Sequence, residues 1–322
     1  MESTTTNSMK SAALLSTSTV VVGTRIHWSN HTQADQRIQV DKTLAQVHAF
    51  CARAVTYADS ILIAVGLPQA LAPSSFASAT TESAFVASVR EFLSRLQSET
   101  RGGVSVVNGD ADADADGATT RIVRVEIIPM LHWGSFVPAL NAIISTAATQ
   151  FQSAMLLLLQ SLEIEVDAAG VQFLKTRFEF GKDLVVGAAL PGHSFQPSTK
   201  IDAELELNGL TAPWNTLAIW DLTRLAMVGF PLIGDGLRVN PSGSTSAAGV
   251  EEVSTILLYQ QLFPSASTAK VVKVPGIAWQ VDNFESEERR TWQEKKMTSK
   301  LQRAERQMEH FGLARGKVLH LQ

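Results

Sequence analysis

The sequence predicts an α/β domain over residues 18–280, with a largely parallel central sheet flanked by helices. The first observation is that apolar strand-like runs alternate with amphipathic helix patterns along the first half of the chain. Such alternation favours right-handed crossovers and a parallel sheet. The second is the stretch 134–166, where a helix pattern precedes the unbroken apolar run 154–159. A run of this kind is typical of a strand that is buried on both faces.

The individual elements follow from local residue patterns. Strands are predicted where β-branched and apolar residues cluster, at 19–28, 59–66, 121–128, 154–159, 183–190 and 270–275. Helices are predicted where apolar residues recur at spacings of three and four, at 41–57, 82–96, 136–144, 167–178, a segment from about 215 to 229, and 251–262. Asp41 is the expected N-cap of the first helix, and Trp220 is expected in the core, on the helix that ends near Gly229.

Composition narrows the class of protein. The chain has 322 residues, 45% of them hydrophobic and 18% charged, which suits a globular protein with a sizeable core. A net charge of −4 offers no general attraction to nucleic acid or anionic lipid. The only cysteine is Cys51, which excludes an intrachain disulfide and favours a reducing compartment. No apolar run approaches the roughly 18 residues of a membrane span. Residues 1–17 offer little to bury and are expected to be disordered, and a cytoplasmic location is the default expectation.

Polar and acidic residues follow the buried run 154–159, at the strand end where open α/β sheets bind ligands. This stretch resembles the central segment of nucleotide-diphosphosugar transferases of the GT-A fold, the family-2 glycosyltransferases. The resemblance rests on Gly134, Ala139, Asn141, Ala147 and the strand itself, on Pro-Trp-Asn-Thr at 213–216, and on Gly-Val-Glu-Glu at 249–252, similar to the family's G-x-E-D. It implies a Rossmann-like, GT-A-like single domain that transfers a sugar from a nucleotide-diphosphosugar to an acceptor hydroxyl, with inversion.

The family's metal-binding D-x-D motif is not retained. Its two aspartates correspond to Gln160 and Leu162, and neither side chain supplies the charged oxygen that Mn²⁺ or Mg²⁺ prefers. Glu163 and Glu165 could bind the metal instead, since alternate side chains of an extended segment face the same side, and His193 follows another strand end. Two alternatives stay open. One is a metal-independent transferase with basic side chains at the diphosphate. The other is a catalytically inactive relative that acts as a nucleotide-sugar-binding or assembly partner.

The resemblance also implies residue roles. Glu252 would be the general base that takes the proton of the acceptor hydroxyl, and Glu251 would orient it or the acceptor. Both carboxylates would also suit a helix amino end without any catalytic role. Trp214 and Asn215 would grip a sugar or pack in the core. The donor- and acceptor-binding set predicted in this way is Gln160, Ser161, Glu163, Trp214, Asn215, Asn141 and His132.

Three further points concern a calcium-loop pattern, nucleotide-binding motifs and the C-terminal segment. The acidic run 110–117 matches the start of a calcium loop at Asp112, but its twelfth position is Val123, so a solvated loop is predicted. Neither a dinucleotide-binding glycine fingerprint nor a P-loop is present. Residues 281–322 are predicted to be a charged helical segment, with Arg289, Trp292 and Lys296 on one face. That segment is either a solvated helix or a lid that brings positive charge to the donor diphosphate.

Overall fold

The computed structural model describes residues 19–28, 35–68, 71, 82–108, 119–131, 133, 136–197, 203–236, 250–279, 299–309, 312 and 315–322. Several of the patterns considered above lie outside these residues. They are the tail 1–17, the acidic loop 110–117, His132, Gly134, Gly249 and the charged run 282–298.

Strands and helices alternate in the described part of the chain. The strands are β1 Thr19–Ile26, β2 Ser60–Gly66, β3 Val104–Asn108, β4 Thr119–Met130, β5 Ala154–Gln160, β6 Ile164–Glu165, β7 Asp183–Ala188, β8 Glu204–Glu206, β9 Leu217–Asp221, β10 Thr268–Val272, β11 Ala278–Trp279 and β12 Lys317–Leu321. The helices are α1 Val40–Ala54, α2 Ala84–Glu99, α3 Val137–Gln150, α4 Ala168–Thr176, α5 Leu222–Val228, α6 Glu251–Leu262 and α7 at 299–309. Short 3₁₀ helices lie at Leu232–Asp235 and Pro264–Ala266.

Ten of these strands form one sheet in the order β3-β4-β2-β1-β5-β9-β7-β10-β12-β8. The pairs β4–β2, β2–β1, β1–β5, β7–β10 and β10–β12 are parallel. β9 runs antiparallel to both of its neighbours, and β3 and β8 are antiparallel strands at the two edges. β6 and β11 form a separate antiparallel pair. The predicted α/β architecture, a mostly parallel sheet flanked by helices, is confirmed.

The core lies on both faces of this sheet. One face packs against α1, α2 and α4, through side chains such as Phe50, Phe92 and Leu174. The other packs against α3, α5, α6 and α7, through side chains such as Ile143 and Ile256. Because helices cover both faces, the central strands read as continuous apolar runs rather than as alternating patterns.

The segment before α5 differs from its prediction. Residues 217–221 form strand β9 in the middle of the sheet, and the helix begins only at Leu222. Trp220 lies in the core as expected, but on this strand. An apolar run of this length does not distinguish a buried strand from a helical turn by its pattern. Asp221 sets the boundary, because its carboxylate accepts a hydrogen bond from the backbone N–H of Arg224 at 2.9 Å and so caps α5.

Three smaller differences concern element ends and edge strands. Helix α1 begins one residue before the predicted cap, and Asp41 lies in its first turn, where its carboxylate binds Arg95 at 2.7 Å. β3 is a strand at Val104–Asn108, where none was predicted. In the C-terminal segment, residues 299–309 are helical, and β12 joins the main sheet beside β10. Within the described residues, no helix is both long and apolar enough to cross a membrane.

Candidate functional site

Three of the predicted segments meet at the carboxyl edge of the sheet. β5 ends at Gln160, and the backbone N–H of Ser161 donates to the carbonyl of Thr216 at 2.9 Å, just before β9. The backbone N–H of Asn215 donates to Oε1 of Glu252 at 2.8 Å, in the first turn of α6. The strand exit, the Pro-Trp-Asn-Thr segment and the pair of glutamates therefore form one site, although they are far apart in sequence.

Asn215 is held rigidly at the base of this site. Its side chain is buried, and its Oδ1 accepts a hydrogen bond from Trp220 Nε1 at 3.0 Å. This bond fixes the orientation of the amide, so Nδ2 is the group that remains. Within the described residues, Asn215 Nδ2 has no hydrogen-bond partner. Buried donors are nearly always paired in native proteins, so an unpaired one suits a ligand that accepts a hydrogen bond.

The surroundings of Glu251 raise its pKa. Burial, and next the negative charge of Glu252, raise the pKa of Glu251 to about 7, against the opposing attraction of Arg25 and Lys300. The Nη1 atom of Arg25 lies 3.8 Å from Oε1 of Glu251. A carboxylate with this pKa can both accept and release a proton near pH 7, as general acid–base catalysis requires.

Three cationic side chains interact electrostatically with Glu251. Arg25 extends from β1, and its guanidinium carbon lies 5.4 Å from the centroid of the Phe136 ring. Lys300 and Arg303 come from α7. Burial lowers the pKa of Arg303, while the charges of Glu251 and Glu252 raise it.

Trp214 forms a wall of the site rather than an open platform for a sugar. The imidazole of His193 stacks on its ring with centroids 3.7 Å apart, and Lys300 Nζ lies 3.6 Å from the ring centroid. Two groups this close to one ring must occupy opposite faces. The indole N–H donates to the carbonyl of Gly209 at 2.9 Å, and the side chain is only 1% exposed.

The predicted metal ligands lie in different surroundings. The Nδ1 atom of His193 accepts from the N–H of Leu190 at 2.9 Å, and Nε2 lies 3.0 Å from the carbonyl of Ala212, so both ring nitrogens are engaged. Burial lowers the pKa of His193 to about 4. Glu163 is exposed in a turn, and Glu165 lies 3.7 Å from Arg53. No cluster of three His, Cys, Asp or Glu side chains suited to a metal ion occurs among the described residues.

Two other predicted binding residues make structural contacts. The side-chain amide of Gln160 accepts from the hydroxyl of Tyr57 at 2.9 Å and donates to the carbonyl of Ile164 at 3.1 Å. The amide of Asn141 pairs with the backbone of Phe230, through bonds of 2.9 and 2.8 Å, and so fastens that loop to α3. These contacts occupy both ends of each amide.

A second aromatic surface lies farther along the same edge. His27 follows β1, and its ring stacks on that of Trp133 with centroids 5.0 Å apart and planes inclined by 20°. Gly66, at the end of β2, lies beneath this pair, since a Cβ there would come within 3.0 Å of the Trp133 ring. The indole Nε1 of Trp133 is buried and has no partner within the described residues. This flat surface with a free donor could hold a planar, hydrogen-bonding group.

A cleft of about 470 Å³ lies at the opposite edge of the sheet, where β10 and β12 begin, and Arg315 and Lys317 form part of its lining. Both cations are paired, Arg315 with Glu206 at 2.8 Å and Lys317 with Glu204 at 2.5 Å. Ligands of open α/β sheets bind at the carboxyl ends of the strands, so the polar site beside Glu251 and Glu252 is the better candidate.

Arg25 and Trp133 are not among the predicted site residues, and Lys300 and Arg303 were expected at the site only as part of the charged segment 281–322, in its interpretation as a lid. Arg25 could have been predicted as a site residue, because it is the only charged residue of β1 and lies near the carboxyl end of that strand. Lys300 and Arg303 belong to a charged run whose local pattern does not indicate which side chains face the sheet. Neither models of known protein families nor the sequences of curated proteins match this chain.

Proposed function

We propose that this protein is a GT-A-like transferase that moves a sugar from a nucleotide-diphosphosugar to an acceptor hydroxyl. The observation that carries the proposal is the buried pair Glu251 and Glu252 at the carboxyl edge of the sheet, beside Arg25 and Asn215, whose Nη1 and Nδ2 atoms make no hydrogen bond within the described residues. An acid–base group next to donors without hydrogen bonds suits a ligand rich in oxygen acceptors, such as a sugar phosphate. The mostly parallel sheet, with its helices on both faces, is compatible with this fold.

In this proposal Glu251 is the general base. The acceptor oxygen attacks the anomeric carbon and forms the new glycosidic bond, while the bond from that carbon to the phosphate oxygen breaks. The acceptor proton passes to Glu251, the nucleoside diphosphate leaves, and the anomeric configuration inverts. The pKa of about 7 suits this role. Glu252, which is fixed by the N–H of Asn215, orients the site. The family resemblance instead implies Glu252 as the base, and the variants below distinguish the two assignments.

The stacked pair His27 and Trp133 would bind the nucleotide base. It lies at the ends of strands β1 and β4, on the same edge of the sheet as the carboxylates. Aromatic stacking is independent of base identity, and the unpaired Trp133 Nε1 would donate to a base or ribose oxygen. A cytoplasmic location and the domain boundaries stay predictions.

Ligand binding tests the proposal most directly. Uridine, guanosine and adenosine diphosphosugars would be screened by thermal shift and isothermal titration, each with and without Mn²⁺. A ligand that binds only the native state raises the melting temperature with its concentration. At least one donor is expected to stabilise the protein. No heat and no melting shift with any donor at millimolar concentration would refute nucleotide-sugar binding.

Two nearly isosteric variants test the base. Glu251→Gln is expected to bind the donor normally and to lose turnover by about a hundred- to ten-thousand-fold. Glu252→Gln is expected to lose less turnover, because its amide oxygen can still accept the hydrogen bond from the backbone N–H of Asn215. Glu91→Gln, which changes an exposed carboxylate on α2, is the matched control. A larger loss in Glu252→Gln would return the base to that residue, and unchanged turnover in both would place it elsewhere.

A second candidate is a GT-A-like protein that binds nucleotide sugars without turning them over. The observation in its favour is Gln160, which stands at a metal-aspartate position of the family and whose amide is engaged by Tyr57 and Ile164. Donor binding with no transfer to any acceptor, with or without Mn²⁺ or Mg²⁺, would support this candidate.

A further inference from the structure

We infer that a cleft at the carboxyl ends of β7, β10 and β12 is a second ligand site, which binds a small carboxylate with an aromatic or apolar body. The position of the cleft, its apolar lining, its lysine and the fixed loop that borders it each support this inference. The site would bind such a ligand whether or not the protein transfers sugars.

The cleft lies where open α/β sheets hold their ligands. β7, β10 and β12 are neighbours in the sheet and run parallel to one another. The lining includes the residues that directly follow each of these strands, namely Ala189 and Leu190, Lys273, and Gln322. The volume of about 580 Å³ is typical of a small-molecule site. A crevice outside the carboxyl ends of adjacent parallel strands is the usual position of a ligand in this class of sheet.

Most of the described lining is apolar. Ala189 and Leu190 contribute to it from the end of β7, and the half-buried side chains of Phe195 and Pro197 contribute from the loop that follows. The Phe195 ring stacks on that of His320, with centroids 5.2 Å apart and planes inclined by 21°. Since His320 occupies one face of the ring, only the other face can meet a ligand. Aromatic and aliphatic groups both bind favourably to such a surface.

Lys273 supplies the charge that selects an anion. It is the only charged side chain among the described residues that line the cleft. Its ammonium is exposed and makes neither an ion pair nor a hydrogen bond with any described residue. The cations of the cleft at the opposite edge differ in this respect, because Arg315 and Lys317 are both paired with glutamates. An ammonium without a partner beside an apolar surface suits a ligand that carries a carboxylate at one end.

The loop after β7 is fixed by hydrogen bonds along its length. The backbone N–H of Ser194 donates to the carbonyl of Leu210 at 2.9 Å. The backbone N–H of Gln196 donates to Nδ1 of His320 at 3.0 Å, and Nε2 of the same ring lies 2.9 Å from the carbonyl of Thr211. His320 is only 1% exposed, so its ring is a rigid support for the loop. A cleft that is formed before binding loses little conformational entropy when the ligand enters.

Phenylacetate is the probe for this site. Its methyl ester is the neutral comparison, and acetate is the comparison without a ring. Each would be titrated calorimetrically into the full chain. Phenylacetate is expected to bind with a Kd of roughly 1 mM or lower, which is an ordinary affinity for a ligand of this size in a preformed site. The ester and acetate are each expected to bind at least about threefold more weakly, because one lacks the charge and the other the aromatic face.

Substitutions in the lining locate the bound probe. Lys273→Gln is expected to weaken binding of phenylacetate about three- to tenfold, because it removes the ammonium, whereas Lys273→Arg should retain most of the affinity. Phe195→Leu is expected to weaken binding about two- to tenfold, because an aliphatic side chain cannot stack on the phenyl ring. Lys42→Gln, which changes an exposed lysine of α1, is the matched control and should bind like the wild type.

The outcomes decide for or against the cleft. Weaker binding in Lys273→Gln and Phe195→Leu, with normal binding in Lys42→Gln, would support it. Unchanged affinity in both lining variants, with melting curves that show folded proteins, would overturn it. Equal affinity for the acid and its methyl ester would overturn the preference for a carboxylate, and so would the absence of heat with phenylacetate at millimolar concentration. Loss of the transferase proposal would leave each of these results unchanged.

Discussion

Replacing Glu251 by glutamine should stabilise the protein at alkaline pH, at the expense of the proposed activity. The carboxyl group is buried, and its pKa is raised from an ordinary value of 4.5 to about 7. The folded state therefore prefers the neutral acid more strongly than the unfolded chain does. The contribution of Glu251 to the free energy of unfolding is therefore most favourable below pH 4.5. It falls as the pH rises towards 7, because the native protein must then carry a buried charge.

The size of the effect follows from that shift. Each pKa unit corresponds to about 1.4 kcal/mol, so a rise from 4.5 to about 7 costs the native state about 3 kcal/mol at pH 8. This figure already contains the attraction of Arg25 and Lys300, which oppose the shift. A neutral amide at the same position avoids the cost. Glu251→Gln should therefore raise the free energy of unfolding by up to about 3 kcal/mol at pH 8 and by almost nothing at pH 4.

Urea unfolding of the wild-type protein and of Glu251→Gln, repeated between pH 4 and 8, measures this difference. The exposed substitution Glu91→Gln should give the same unfolding curves as the wild type at every pH. A Glu251→Gln variant that is destabilised equally at pH 5 and pH 8 would contradict the reasoning, because its effect would then come from lost contacts and not from a buried charge.

Three further substitutions test contacts described above, each by urea unfolding. Lys270→Met leaves the fully buried carboxylate of Asp183 without the ammonium that lies 2.5 Å away. It should lower the free energy of unfolding by about 3–5 kcal/mol, and the added change Asp183→Asn should restore most of that loss. Asp235→Ala removes an acceptor for two backbone N–H groups at the start of α3, so a loss of about 0.5–2 kcal/mol is expected, and an unchanged midpoint would disprove the capping role. Gly229→Ala places a Cβ 2.7 Å from Asn141 Oδ1 at a backbone φ of 72°, and it should destabilise by more than about 1 kcal/mol, whereas a neutral result would mean that the loop relaxes freely.

The regular part of the fold was predictable because burial on both faces leaves a clear trace in the sequence. The run 154–159 and the alternation of strands with amphipathic helices identified a mostly parallel sheet. β9 was not predictable from its own residues, since a strand of five residues between a turn and a helix has no periodicity of its own. Its direction depends on its neighbours in space, β5 and β7, which lie on either side of it in the sheet.

The candidate site was predictable as a place but not as a set of contacts. The carboxyl end of β5 and the glutamates of α6 could be located because strand direction decides which ends meet. The hydrogen bond from Asn215 to Glu252 joins residues that are distant in sequence, and only the fold shows it. The engagement of Gln160 by Tyr57, and of Asn141 by Phe230, is equally invisible in a local pattern. A polar residue beside a site can therefore have a purely structural role.

The central position of β9 also bears on how the protein folds. The strand order places β9 between β5, which belongs to the group β4-β2-β1-β5, and β7, which continues to β10 and β12. The two halves become one sheet only when β9 pairs with both β5 and β7. Gln160 lies on one side of this seam, and Asn215 immediately precedes the strand that closes it. Opening of β9 would therefore separate the two halves and disrupt the candidate site together, and native-state hydrogen exchange should show the amides of β9 and of the site exchanging in one step.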